Sequence, residues 1–100
     1  MPELTPTKLF LKDLDAFESN TALHKKIRKA LALLHGNPFH PGLRMERIAN
    51  DPTAWSIRID RRYRLSIDPA AWNDSGAPDW DKGVILLRML DHDDLYKKPR

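Results

Sequence analysis

A chain of 100 residues with a formal net charge of +3 is long enough for one hydrophobic core and too short for two, so we expect a single domain over residues 1–100. The absence of cysteine excludes disulfides and thiolate metal sites, and the four histidines lack zinc-type spacing, so we expect no metal or other cofactor. No apolar run approaches the roughly 20 residues that cross a bilayer, and the N-terminus lacks a secretion signal. These features predict a cytoplasmic protein without a membrane partner.

The charged residues are segregated along the chain. Residues 21–35 contain four basic residues and no acidic one, whereas residues 68–81 contain four acidic residues and no basic one. The folded molecule should therefore be electrically polar, with a basic surface that suits an anionic partner. The four basic residues of 21–35 are typical of a solvated helix face.

A first helix is predicted near the N-terminus. Thr5 can cap it, and Pro6 then takes the first helical position, where its missing N–H is not needed. Phe10, Leu14 and Phe17 follow at helical spacing and form an apolar stripe that predicts burial against a core.

A second helix is predicted over residues 21–35. Gly36 is placed to end it in a left-handed conformation, and Pro38 prevents its continuation. The residues predicted to form its buried face are Leu23, Ile27, Leu31 and Leu34.

Strands are predicted near 43–49, 54–60, 62–68 and 83–90, after an irregular linker at 37–42. The second and third form a hairpin whose alternating residues give one apolar face, with Trp55 and Tyr63, and one face with Arg58 and Arg64. The last strand is apolar on both faces, which predicts an interior position in the sheet. The polar loop at 69–82 is long enough to be either functional or mobile.

These elements predict an α+β fold. Two N-terminal helices should pack on one face of a four-stranded antiparallel sheet, and the pattern allows a short extra strand at Glu3-Leu4. Such packing would bury the face with Trp55 and Tyr63 and leave the face with Arg58 and Arg64 open to solvent.

At this point the chain resembles the RelE/ParE toxin superfamily of type II toxin–antitoxin systems. The resemblance depends on the two-helix start, the Asn-Pro-Phe-His-Pro-Gly-Leu-Arg stretch at 37–44, the arginine-rich hairpin at 55–65 and the ending at 90–97. It covers almost the whole chain. It implies a RelE/ParE-like fold and a cognate antitoxin as partner.

The superfamily has two branches with different targets. RelE-like members cleave mRNA in the ribosomal A site without a metal, whereas ParE-like members inhibit DNA gyrase and lack a nuclease site. By the resemblance, Arg64 matches the arginine that contacts the scissile phosphate, Arg58 matches a basic position on the preceding strand, and Tyr96 and His92 match the ending of the chain. Asp91 departs from the pattern, because many relatives have a basic residue there, and the 69–82 loop is longer than usual.

The chemistry of RNA cleavage gives these residues roles. A base must take the 2′-hydroxyl proton, an acid must protonate the leaving 5′-oxygen, and fixed positive charge must stabilise the phosphorane. Arg58 and Arg64 can supply the charge, His92 can transfer a proton, and Tyr96 can stack on a base or donate a proton. Glu46 is a second candidate for proton transfer. Further contacts to the RNA backbone are predicted for Arg44, Arg47, Arg62 and Arg88.

Strand alternation restricts these assignments, since it places Arg44 and Glu46 on the face opposite Arg47. The sequence leaves open whether the chain is an enzyme. The leading hypothesis is a ribosome-dependent mRNA endonuclease that inhibits translation, with ribosome, mRNA and antitoxin as partners. The alternatives are a DNA gyrase inhibitor of the ParE type and a degenerate relative that binds an antitoxin without being toxic.

Overall fold

In a computed structural model that describes all 100 residues, the chain forms three α-helices and one five-stranded mixed sheet. The strand order is β1-β5-β4-β3-β2; β1 is parallel to β5, and the other neighbours are antiparallel. The strands are β1 (Leu4–Pro6), β2 (Glu46–Arg47), β3 (Trp55–Arg58), β4 (Tyr63–Pro69) and β5 (Val84–Asp91). The helices are α1 (Lys8–Ala16), α2 (Thr21–Gly36) and α3 (His92–Lys97).

The predicted α+β class and the extra N-terminal strand are confirmed. The prediction of a four-stranded antiparallel sheet is wrong, because β1 adds a fifth strand in parallel orientation. This strand also corrects the predicted start of the first helix. Thr5 and Pro6 lie in β1, and Thr7 caps α1 by accepting a hydrogen bond from the backbone N–H of Phe10 at 3.2 Å. The chain stays extended because residues 4–6 pair with β5, and the Thr7 N–H donates to the Leu86 carbonyl at 3.1 Å.

The second helix lies where it was predicted and is one residue longer. Asn20 caps it by accepting a hydrogen bond from the Leu23 N–H at 3.0 Å. Gly36 is its last helical residue and does not have a positive φ, so the predicted left-handed stop is wrong; the helix ends at Asn37, which is extended. Its buried residues are Leu23, Ile27, Ala30 and Leu34, with Leu31 only partly buried.

Among the predicted strands, the one at 43–49 differs most from the structure in its bounds. A short 3-10 helix occupies Pro41–Leu43, and Arg44 follows it in the left-handed region with φ of 45°. Because this conformation interrupts an extended chain, only Glu46–Arg47 remain as β2. The hairpin of β3 and β4 was predicted to within two residues at each end.

The main core joins both N-terminal helices to one face of the sheet. Phe10 of α1 and Ile27 of α2 lie in one cluster with Ile57, Leu65 and Met89 of the strands. A smaller cluster, formed by Ile48, Ala54 and Leu87 with Tyr96 against it, lies outside this core. None of the helices has the length and apolarity needed to cross a bilayer.

The long loop at 69–82 is packed against the sheet. Trp80 is 5% exposed and belongs to the main core, where its ring meets the Trp55 ring edge-on at 5.3 Å. Trp72 lies 6.0 Å from the same ring and bridges to Pro78. The Asn73 side chain closes the turn by accepting hydrogen bonds from the backbone N–H groups of residues 75 and 77.

Candidate functional site

The side chains of Ser56, Arg58, Arg64 and Ser66 define one face of the β3–β4 hairpin, which we call the arginine face. Ser56 and Ser66 are directly opposed, and so are Arg58 and Arg64. The expectation that this face is open is wrong, because α3 and the tail after it cross the face. Ser56 and Ser66 are both buried, and the Ser66 hydroxyl donates a hydrogen bond to the Pro99 carbonyl at 2.6 Å.

The two arginines at the end of this face are half-buried neighbours on adjacent strands. Like charges in directly opposed positions of a sheet repel each other. The Arg64 guanidinium donates hydrogen bonds to the Asp60 and Tyr63 carbonyls, which holds it beside the turn between the strands. An anion bound between the two guanidinium groups would remove the repulsion, so this pair of charges favours a phosphate.

Tyr96 of α3 connects the arginine face to β2. Its hydroxyl donates a hydrogen bond to Glu46 Oε1 at 2.6 Å and lies 3.1 Å from the Ser56 hydroxyl. Burial, and next the hydrogen bond to Glu46, raise the pKa of Tyr96 against the opposing effects of Ser56 and Arg64. The hydroxyl therefore stays protonated near neutral pH, where it can donate a hydrogen bond but cannot act as a base.

His92 is the first residue of α3 and lies next to Tyr96. The two rings meet edge-on with centroids 4.6 Å apart, and His92 Nδ1 is 3.3 Å from the Asp93 carboxylate. Its imidazole is 43% exposed, so solvent can reach it. His92 is held at this place by its backbone N–H, which donates to the Arg62 carbonyl at 2.7 Å.

Asp91, the residue that departs from the pattern of the resemblance, stabilises the start of α3. It caps α3 by accepting a hydrogen bond from the Asp93 N–H at 3.1 Å, and it forms an ion pair with Arg62 Nε at 2.9 Å. The Arg62 hydrogen bond is the main cause that lowers the pKa of Asp91. Arg62, predicted to contact RNA, is thus engaged in an exposed ion pair at the start of the helix that carries His92.

The other predicted backbone contacts lie in three different places. Arg47 is opposite Trp55, with its guanidinium 5.5 Å from that ring, and donates to the Pro52 carbonyl, whereas Glu46 is opposite Ser56 on the arginine face. Strand alternation predicted this separation of Glu46 from Arg47. Arg44 is exposed and lies outside any strand.

Arg88 lies opposite Ser66 across the β4–β5 pair, but its side chain is engaged by α1. Its guanidinium donates to both carboxylate oxygens of Asp13 at 2.8 and 3.0 Å, and this hydrogen-bonded pair raises the pKa of Arg88. Asp13, which is 7% exposed, also accepts from the Met89 N–H at 3.0 Å. The ion pair between Asp13 and Arg88 therefore holds α1 against β5. No group of three or more histidine and carboxylate side chains is arranged to hold a metal ion.

Several solved structures of toxins share this fold over nearly their whole length. The E. coli DinJ–YafQ toxin–antitoxin complex matches with a TM-score of 0.69 and 12% identity, covering 94% of this chain and 96% of that one. The YoeB/ParE toxin from Agrobacterium tumefaciens matches with a TM-score of 0.68 and 17% identity, over 90% and 98% of the two chains. A copper-bound mutant toxin from Helicobacter pylori matches with a TM-score of 0.67 and 22% identity, over 95% and 99%.

These matches show that the chain has the fold of toxins from toxin–antitoxin systems. The fold that the sequence resemblance implied is therefore confirmed. No protein-family model and no curated protein sequence matches the chain.

Proposed function

We propose that the chain is the toxin of a type II toxin–antitoxin system and that it inhibits translation by cutting ribosome-bound mRNA. The observations that carry this proposal are the pairing of Arg58 with Arg64 across the hairpin, the effect of the Arg64 charge on Tyr96, and the packing of Tyr96 against His92. The fold shared with the YoeB/ParE toxin and with the DinJ–YafQ complex supports the toxin role.

Arg58 and Arg64 bind the scissile phosphate in this proposal. A guanidinium group stays protonated and can hold two phosphate oxygens at once, so two adjacent ones stabilise the extra negative charge of the phosphorane. The hydrogen bonds from Arg64 to two backbone carbonyls keep its side chain oriented before RNA binds. This orientation reduces the reorganisation needed in the transition state.

Two proton transfers complete the reaction. Glu46 is exposed and its carboxylate accepts protons, so it takes the proton from the 2′-hydroxyl, which attacks the phosphorus. His92 gives a proton to the 5′-oxygen as the bond from phosphorus to that oxygen breaks. Tyr96 contacts both groups, through its hydrogen bond to Glu46 and its ring against His92, and thereby positions them.

A cognate antitoxin is the second partner that we propose. The YafQ structure cited above is a toxin–antitoxin complex, and the exposed basic residues of α2 and the hairpin favour an acidic segment as the neutralising element. Association of the two proteins should therefore slow as salt concentration rises.

The experiment that tests the proposal maps mRNA ends after the purified protein is added to translating ribosomes. We expect cuts that need ribosomes and that Arg64→Ala abolishes, whereas Arg61→Ala, a change of an exposed arginine in the same turn, leaves them in place. Intact message together with inhibited supercoiling by DNA gyrase would instead identify a gyrase inhibitor. Intact message, normal supercoiling and retained antitoxin binding would identify a degenerate relative.

A further inference from the structure

Phe39 is an exposed aromatic residue on a rigid turn. The residue is 71% exposed, although the adjoining Pro38 is buried. The Asn37 side chain accepts a hydrogen bond from the Phe39 N–H at 3.0 Å, and the Asn37 carbonyl accepts one from the His40 N–H at 2.9 Å. The fold therefore fixes the backbone of this turn while it leaves a phenyl ring in solvent.

The ring borders a groove of about 470 Å³ between this turn and the β2 edge of the sheet. Arg44 and Arg47 supply positive charge on its wall, and the half-buried Trp55 supplies aromatic surface, with the buried Trp80 packed against it. Arg47 lies over the Trp55 ring, so a cation is already stacked within the groove. Exposed aromatic rings combined with arginines are the elements by which proteins bind single-stranded nucleic acid.

The groove is continuous with the arginine face through Glu46. This residue lines the groove, and its carboxylate also accepts the hydrogen bond from Tyr96. We propose that the groove binds an unpaired nucleotide of RNA next to the bond that is cut, with its base stacked on Phe39 and its phosphate held by Arg44. This inference rests on the proposed endonuclease function and adds a binding site outside the reacting groups.

Intrinsic fluorescence can report on this site directly. The chain contains three tryptophans; Trp55 and Trp80 line the groove, and Trp72 packs on Trp55. Titration of the full-length protein with a single-stranded hexamer of oligoadenylate, without ribosomes, should change this fluorescence in a saturable manner. An abasic ribose-phosphate hexamer of equal charge should bind less tightly by about tenfold, because it has no base to stack on Phe39.

Two variants separate stacking from charge. Phe39→Leu keeps the apolar bulk and should weaken binding of the oligoadenylate by about tenfold, whereas Phe39→Trp should retain it. Arg44→Asn removes the cation, and asparagine tolerates the left-handed backbone at this position. This variant should lower the slope of log affinity against log salt by about 0.7, the value for one phosphate contact on a single strand. The control is Leu11→Ala, at an exposed apolar residue of α1 that does not line the groove.

The inference is overturned if Phe39→Leu binds the oligoadenylate as tightly as the wild type, or if the abasic hexamer binds equally well. A wild-type protein whose fluorescence the RNA leaves unchanged would also overturn it and would assign the groove to another class of ligand. Because binding is measured without cutting, loss of ribosome-dependent cleavage in Arg64→Ala tests the endonuclease proposal separately. A protein that binds RNA through Phe39 but leaves message intact would retain the groove and refute the nuclease.

Discussion

Replacement of Tyr96 by phenylalanine removes one hydroxyl group and keeps the ring that packs against His92 and the smaller core cluster. The variant loses the 2.6 Å hydrogen bond from the Tyr96 hydroxyl to the Glu46 carboxylate. A hydrogen bond to a charged acceptor contributes about 1.5–3 kcal/mol when it is shielded from solvent. Since Glu46 is exposed, we expect the free energy of unfolding to fall by only about 1 kcal/mol. In a domain of this size, that change lowers the melting temperature by about 4–8 °C.

The effect of Tyr96→Phe should depend on pH in a defined direction. The folded state raises the pKa of Tyr96 above its ordinary value of 10.0, mainly through burial, and so favours the protonated hydroxyl. The resulting stabilisation is fully present below pH 10 and is lost as pH rises through the folded-state pKa. The stability difference between wild type and variant should therefore narrow above pH 10.

Urea denaturation of both proteins at pH 7 and at several values above pH 10 measures this difference. Tyr63→Phe is the matched control, because the Tyr63 hydroxyl makes no hydrogen bond within the protein. Its removal should therefore change the free energy of unfolding by less than about 0.5 kcal/mol. Equal stability of wild type and Tyr96→Phe at pH 7, or a gap that widens above pH 10, would refute the described contact between Tyr96 and Glu46.

Further substitutions test other parts of the structure. Arg64→Ala should abolish growth inhibition in cells, and it should cost about 1 kcal/mol in urea denaturation because two backbone carbonyls lose their donor; full toxicity at wild-type expression would remove Arg64 from the site. His92→Gln should retain ribosome binding in a sedimentation assay and lose mRNA cutting, and an unchanged cutting rate would exclude His92. Asp13→Ala leaves Arg88 without its buried partner and should lower the free energy of unfolding by about 3 kcal/mol, whereas a change below about 1 kcal/mol would show that the pair is not buried in solution. Burial tends to raise the pKa of Asp51, but hydrogen bonds from Arg100 and Thr53 lower it overall. As pH falls from 5 to 3, the wild type should therefore lose more stability than Arg100→Gln, which lacks the ion pair with Asp51. Equal losses of stability in the two proteins would contradict this ion pair.

Local patterns in the sequence were sufficient to predict most of the fold. Alternation of polar and apolar residues around the turn at 60–62 placed β3 and β4 and assigned Arg58 and Arg64 to one face. The two-sided apolar character of β5 predicted its interior position, since one side faces the main core and Leu87 on the strand joins the smaller cluster. Each of these inferences needs only neighbours within the strand.

The features that could not be predicted depend on contacts between distant parts of the chain. The last helix has six residues, too few for a clear apolar stripe, and is stabilised by burial of Leu95 on the sheet. Its presence closes the face that was expected to be open and brings Tyr96 to Ser56, 40 residues away in sequence. Ser56 was not singled out as a site residue, although its place on the predicted strand, between Trp55 and Arg58, could be read from the sequence. The role of Asp91 as a helix cap was not predicted either, although Asp93 and Asp94 in the following turn are a signal for the start of a helix.

The central claim is that this site cleaves RNA through attack by a 2′-hydroxyl group. The most direct test places a single 2′-deoxynucleotide immediately before the mapped cut in an otherwise unmodified mRNA, and presents the message to the protein on ribosomes. We predict that the unmodified message is cut and leaves a 2′,3′-cyclic phosphate or its 3′-phosphate product, and that the deoxy message stays intact at that bond. Cutting of the deoxy message at the same rate, or a 3′-hydroxyl at the new end, would contradict the mechanism.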